Sequence, residues 1–311
     1  MPAPASASAA QSPVQVFDRR LLRHRRDRAA AGLADYDFLL TEVGERLADR
    51  LDDIRRRFPM ALDLGCHHGA LARCLNGRGG VERLIQTDLS PRMAAAAPSP
   101  ALAADEEALP FAAGTFDAAF SLLSLHWVND LPGTLLQLRH ALKPDGLLLV
   151  AMLGGDTLHE LRTALAEAEM DLEGGLSPRV SPFADVRDAG MLLQRAGFAL
   201  PVVDRETLTV SYADAFRLMR DLRGMAAANA VAERRRGMTR RATLLAAATG
   251  YADRFADADG RIPATFEVLY LTAWAPHPEQ PRPLRPGSAA SRLADALGTE
   301  ELSAGEKARP G

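Results

Sequence analysis

Met60-Ala61-Leu62-Asp63-Leu64-Gly65-Cys66-His67-His68-Gly69 is the stretch on which the fold turns. Its first five residues are apolar except for Asp63 and read as a short buried strand. Gly65 and Gly69 then turn the chain and let backbone approach a ligand before a helix begins at Ala70. In open α/β sheets the carboxyl end of the first strand is where ligands bind. The next strand ends at Asp88, 19 residues beyond Gly69, where a carboxylate accepts hydrogen bonds from both ribose hydroxyls. Strand, glycine turn and two acids together predict a nucleoside crevice.

Outward from this point, short apolar runs alternate with longer periodic ones, the pattern of strands and crossover helices in a parallel sheet. Strands are expected over 60–64, 83–87, 101–104, 116–122 and 147–153, and helices over 38–58, 70–75 and 131–142. The Lys143-Pro144-Asp145-Gly146 turn stops the last of these and starts the fifth strand. Beyond Gly154 the rhythm changes. Helices are expected over 157–170, 183–196, 213–225 and 239–256, with strands near 202–210 and over 265–274. The expected fold class is α/β: a doubly wound, mostly parallel sheet with helical additions after the fifth strand.

The 311 residues divide into a disordered start over 1–15, a basic arm over 16–35, a domain over 36–275 and a flexible proline-rich tail over 276–311. Arg19, Arg20, Arg23, Arg25, Arg26 and Arg28 make the arm read as a solvated helix or a docking surface. The first residues carry neither the basic start nor the apolar run of a secretory signal, and no run is apolar enough to span a membrane. Net charge is -3, which gives no general attraction for nucleic acid. Two cysteines exclude a disulfide framework and point to a reducing compartment. Of 37 basic residues only Lys143 and Lys307 are lysines, and neither suits a phosphate loop or a Schiff base.

A dinucleotide fingerprint needs Gly-x-Gly-x-x-Gly, but this loop has Gly65, His67 and Ala70 at those positions. Asp63 with Gly65 and Gly69 instead resembles motif I of class I S-adenosylmethionine-dependent methyltransferases. Ala104-Asp105-Glu106-Glu107-Ala108-Leu109-Pro110-Phe111 resembles that superfamily's adenine-contacting segment, and Phe116-Asp117 its fourth strand. The resemblance implies S-adenosyl-L-methionine as cofactor, faced by Asp63, Gly65, Cys66, His67, Gly69, Asp88, Leu89, Asp105, Glu106 and Ser121. His67 departs from the pattern, since most members carry glycine there.

More specific stretches are Phe17-Asp18-Arg19, Leu123-Ser124-Leu125-His126-Trp127-Val128-Asn129-Asp130-Leu131-Pro132, Gly154-Gly155-Asp156-Thr157-Leu158 with Glu160-Leu161-Arg162, and Ser177-Pro178-Arg179-Val180-Ser181-Pro182-Phe183. These resemble the mitochondrial complex I assembly factors described as arginine hydroxylases, and their proteobacterial relatives, from about Val16 to about Gly287. The resemblance implies hydroxylation of an arginine in the iron–sulfur subunit of the quinone module. It also implies a bacterial cytoplasmic location at the inner face of the membrane through that partner, or the mitochondrial matrix in a eukaryote.

A guanidinium substrate wants carboxylates and planar acceptors, so Asp130, Asp156 and Glu160 are candidates for its fork, with Trp127 stacking and His126 nearby. Each also has a structural reading: a core aromatic, a packed histidine, a helix cap at Asp156. Hydroxylation requires an oxidant, and only His277-Pro278-Glu279 matches half of a two-His-one-carboxylate iron pattern. It lies in the tail. Cys66, His67, His68 and Cys74 read as loop residues, because consecutive positions rarely converge on one ion; no metal is expected. Two other functions stay open: O-methylation of a small molecule or acyl-carrier carboxylate, as in the biotin pathway, and a non-catalytic assembly chaperone.

Overall fold

In the computed structural model, which describes residues 15–98, 100–280 and 293–300, the strand read from the motif is β1 (Ala61–Leu64), near the middle of a seven-stranded sheet. The first helix is α1 (Arg19–Ala29), followed by a short 3-10 segment (Ala30–Asp35) and α2 (Phe38–Asp52). After β1 come α3 (Ala70–Leu75), β2 (Leu84–Asp88), α4 (Pro91–Ala96), β3 (Ala101–Ala103), β4 (Phe116–Leu122), α5 (Leu131–Ala141) and β5 (Leu142–Leu153). The additions are α6 (His159–Glu173), α7 (Val186–Arg195), β6 (Ala199–Tyr212), α8 (Ala215–Gly224), α9 (Arg241–Phe255) and β7 (Ile262–Trp274). Strand order is β3-β2-β1-β4-β5-β7-β6; the first five are parallel, and β7 runs antiparallel to both β5 and β6.

The two faces follow from the period-two alternation of side chains. Leu147, Leu149, Ala151 and Leu153 of β5 join a core with α2, α6, α8 and α9, whereas Leu148, Val150 and Met152 join the opposite core with α5 and α7. Both faces of the inner strands are covered, so those strands read as continuous apolar runs. Edge strand β6 is half-buried residue by residue, and its sequence alternates accordingly.

Several expectations need correction. The helix expected over 38–58 stops at Asp52, whose carboxylate accepts from Gly79 N–H at 3.1 Å, and Pro59 biases Phe58 to an extended bridge with Val81. The fifth strand begins at Leu142, running through the predicted turn. Helix α4 was not anticipated, although Ser90-Pro91 carries its signal: Ser90 Oγ accepts from Met93 N–H at 3.1 Å and proline takes the first helical position.

The arm is not a solvated extension. Asp18 caps α1 by accepting from Leu21 N–H at 3.0 Å, and Leu22 and Arg26 are buried. Phe17, Leu22, Trp127, Ala230 and Val231 form a satellite cluster that seats it. Arm and sheet belong to one compact unit ending at Pro276. A second unit, His277–Gly311, contains a short helix α10 (Leu293–Leu297) where an irregular tail is expected. The tail prolines Pro281, Pro283 and Pro286, and positions 1–14, lie outside the described residues. Among the described residues no helix is long and apolar enough to cross a membrane.

Candidate functional site

Parallel strands align their carboxyl ends, so Asp63 on β1, Asp88 at the end of β2, Asp105 and Glu106 after β3, and Ser124 after β4 converge on one crevice. The loop between β1 and α3 is tied down by Gly65 and Cys66 N–H groups, both donating to Thr87 carbonyl at 2.8 Å. Gly65 has φ 76°, and a Cβ there would overlap the Ser124 hydroxyl. Gly69 has φ 81°, and a Cβ there would strike Pro98. These glycines serve close protein packing at the crevice floor. Gly65→Ala is expected to cost about 2 kcal/mol or more, from the left-handed backbone and the overlap together; urea denaturation checks this, and an unchanged midpoint would contradict the packing.

The crevice is filled by α1. Arg26, whose side chain is 2% exposed, approaches both Asp88 carboxylate oxygens at 3.3 and 3.4 Å and Glu106 Oε1 at 2.9 Å. Its second terminal nitrogen donates to Ser124 Oγ at 2.9 Å, and that hydroxyl donates to Glu106 at 2.9 Å. Arg19 pairs with Asp105 at 2.5 Å and with Glu106, and donates to Trp127 carbonyl at 3.3 Å. Asp88 also accepts from His67 N–H at 3.0 Å and Ser90 N–H at 2.8 Å. A cavity of about 40 Å³ remains beside Arg26, lined by Tyr36, His67, Leu123, His126 and Trp127 among others.

The electrostatics follow from burial and this pairing. Burial raises Asp88, with Glu106 adding to it, more than Arg26 lowers it. Glu106 bears the same desolvation but has both Arg26 and Arg19, which hold it at about 2. Burial disfavours Arg26's charge, yet the two carboxylates more than compensate and its guanidinium is held above the ordinary value. Asp63 has neither carboxylate oxygen partnered; burial, with the nearby Asp88 charge, pushes it up to about 8. Burial and Arg26 push His67 down to about 3, and its Nε2, 3.1 Å from Leu122 carbonyl, must carry the proton. His126 is likewise held neutral by burial, next to Arg26.

Several expected site residues take other parts. Ser121 Oγ donates to Leu64 carbonyl at 2.7 Å, tying β4 to β1. Cys66 is buried and donates to His67 carbonyl, and burial raises its thiol. Leu89 packs against the satellite cluster under α1. His126 and Trp127 are buried beneath the arm: Leu153 N–H donates to His126 Nδ1 at 3.4 Å, and Trp127 packs edge-on against Phe17 at 5.5 Å.

The carboxylate fork expected for a guanidinium does not assemble. Asp130 is exposed and caps α5 by accepting from Gly133 N–H at 2.8 Å. Asp156 is exposed in a loop, and its side chain does not cap α6, whose N-cap is Leu158. Glu160 is buried and accepts from Thr265 hydroxyl and N–H on β7. Asp130 and Asp156 turn to solvent and Glu160 is held in the core by Thr265 of β7, so the three do not meet. His68 pairs with Asp37 at 2.9 Å and Cys74 faces Thr41 carbonyl, so the histidine–cysteine cluster diverges. Among the described residues no group of such side chains is arranged to hold a metal ion.

Arg19, Arg26 and Ser124 were missed as crevice residues. A signal existed: Arg19, Leu22 and Arg26 recur at i, i+3 and i+7, one face of a helix, and Leu22 shows which face turns inward.

A family model described as a methyltransferase domain matches residues 62–150. The chain is 45% identical over 289 residues to the mitochondrial arginine-hydroxylase of Danio rerio, spanning 91% of this chain and 89% of that protein. Over 268 residues it is 37% identical to the malonyl-[acyl-carrier protein] O-methyltransferase of Halorhodospira halophila, 84% of this chain and 89% of that one. The phosphoethanolamine N-methyltransferase 2 of Haemonchus contortus, solved with S-adenosyl-L-methionine, shares the fold at TM-score 0.51 and 15% identity, covering 82% of this chain and 60% of that one.

Proposed function

The chain belongs to the class I methyltransferase superfamily and, within it, to the family of the mitochondrial arginine-hydroxylases, and from that membership we propose that it modifies an arginine of a respiratory subunit during assembly of complex I. The reaction on this reading is hydroxylation, the substrate the iron–sulfur subunit of the quinone module, and the cofactor S-adenosyl-L-methionine. The protein would work in the bacterial cytoplasm at the inner face of the membrane, or in the matrix of a mitochondrion. The observation that carries the reading is 45% identity sustained over 91% of the chain rather than over the cofactor loop alone.

The crevice suits a cationic nucleoside in kind but not, as described, in space. Asp63 presents two unpartnered carboxylate oxygens, and Asp88 is an acceptor at the end of β2. Ligand pockets run to about 300–1,000 Å³. The cavity left beside Arg26 is about 40 Å³. With α1 seated, that space does not admit the cofactor.

A second reading, O-methylation of an acyl-carrier carboxylate, is favoured by the 37% identity to the Halorhodospira halophila enzyme. Peptide mass separates the two. Deleting the gene should remove one oxygen's mass from an arginine of the iron–sulfur subunit. If that peptide is unchanged while the purified protein adds a methyl group to a malonyl carrier, the hydroxylase reading is lost and the second stands.

A further inference from the structure

We propose that α1 is an intramolecular competitor of the nucleoside: Arg26 occupies the Asp88 and Glu106 carboxylates, so cofactor enters only when α1 leaves the crevice. This rests on the cofactor reading above.

Asp88 is saturated. His67 and Ser90 N–H groups and Arg26 take its two oxygens, which leaves no lone pair well placed for two ribose hydroxyls. Guanidinium and sulfonium are both cations, and a crevice acidic enough to hold one out of water attracts the other. The buried Asp63 carboxylate accepts no hydrogen bond from the arm or from any other described group.

The seating of α1 combines polar ties, Arg25 donating to the Ala228 carbonyl at 2.7 Å and Ser90 Oγ to Asp27 at 2.5 Å, with a small apolar anchor. Leu22 packs into a five-residue satellite cluster separate from both main cores. Beyond it, Arg25, Arg28 and Ala29 border a cavity of about 680 Å³ that Arg220 and Arg223 also line, with no acid among the lining residues. Like charges therefore face one another along the C-terminal half of the helix. A nucleoside binding only the open form has its apparent dissociation constant raised by the inverse of the open fraction. A docked arm populated about a hundred to one, in keeping with its buried ion pairs, would weaken binding about a hundredfold.

The test titrates S-adenosylhomocysteine calorimetrically into the full chain and into Arg26→Ala and Leu22→Asp variants, and follows amide hydrogen exchange over α1. Leu22→Asp undocks the helix without removing any crevice group, so it covers the case in which Arg26→Ala does not fold. Both variants are expected to bind about tenfold or more tightly than the parent, and saturating nucleoside should speed exchange over α1 in the parent. A merely structural role for Arg26 would lower stability with no gain in affinity. Equal or weaker binding by the variants, with α1 still protected at saturation, overturns the competitor while leaving the cofactor reading intact. Absence of binding by parent and variants alike removes both.

Discussion

Arg26→Ala is expected to unfold about 3–5 kcal/mol more readily than the parent at neutral pH, the range for removing one partner of a buried ion pair. Both partners, Asp88 and Glu106, have side chains with no exposure at all, so water cannot take the place of the guanidinium. Restoring neutrality with Arg26→Ala/Glu106→Gln should recover part of the loss. The effect also depends on pH. Glu106 is held at about 2 in the folded parent, below its unfolded value. Its pairing therefore contributes stability above the unfolded pKa and loses it as pH falls toward 2. The gap between parent and variant should accordingly narrow below about pH 4. Urea denaturation across the acid range reads this directly, and a gap independent of pH would show that the pair is not what Arg26 stabilises.

Asp63→Asn should act in the opposite direction. The folded-state carboxyl stands at about 8, above its unfolded value near 4, so between these limits the folded chain binds more protons than the unfolded one. Stability must then fall as pH rises through that window, by up to about 1.4 kcal/mol per pH unit. The amide does not titrate, and the variant should gain on the parent steadily from pH 5 to pH 8. Denaturation midpoints that run parallel across this range would mean that Asp63 is ionised and paired.

The two predictions concern neighbouring carboxylates that the sequence makes look alike. Asp63, Asp88 and Asp105 each follow an apolar run, and their convergence was legible because parallel strands align their carboxyl ends. Which of them carries a counterion was not legible. Asp88 meets Arg26, 62 residues away, and Ser124 meets it across 98, separations that no local pattern reports. Asp130 and Asp156 illustrate the converse error: acids beside the right strands whose backbone turns them to solvent.

By itself, the order of residues determined the alternation of strands and helices, the glycine turn after β1 and the acidic lip at the strand ends, since each depends on spacing within about ten neighbours. Only the tertiary structure decided that the basic arm folds back, because a row of arginines has the same local preference whether it meets water or carboxylates. The charge pairing that distinguishes these outcomes exists only once the sheet has gathered its acids in one place.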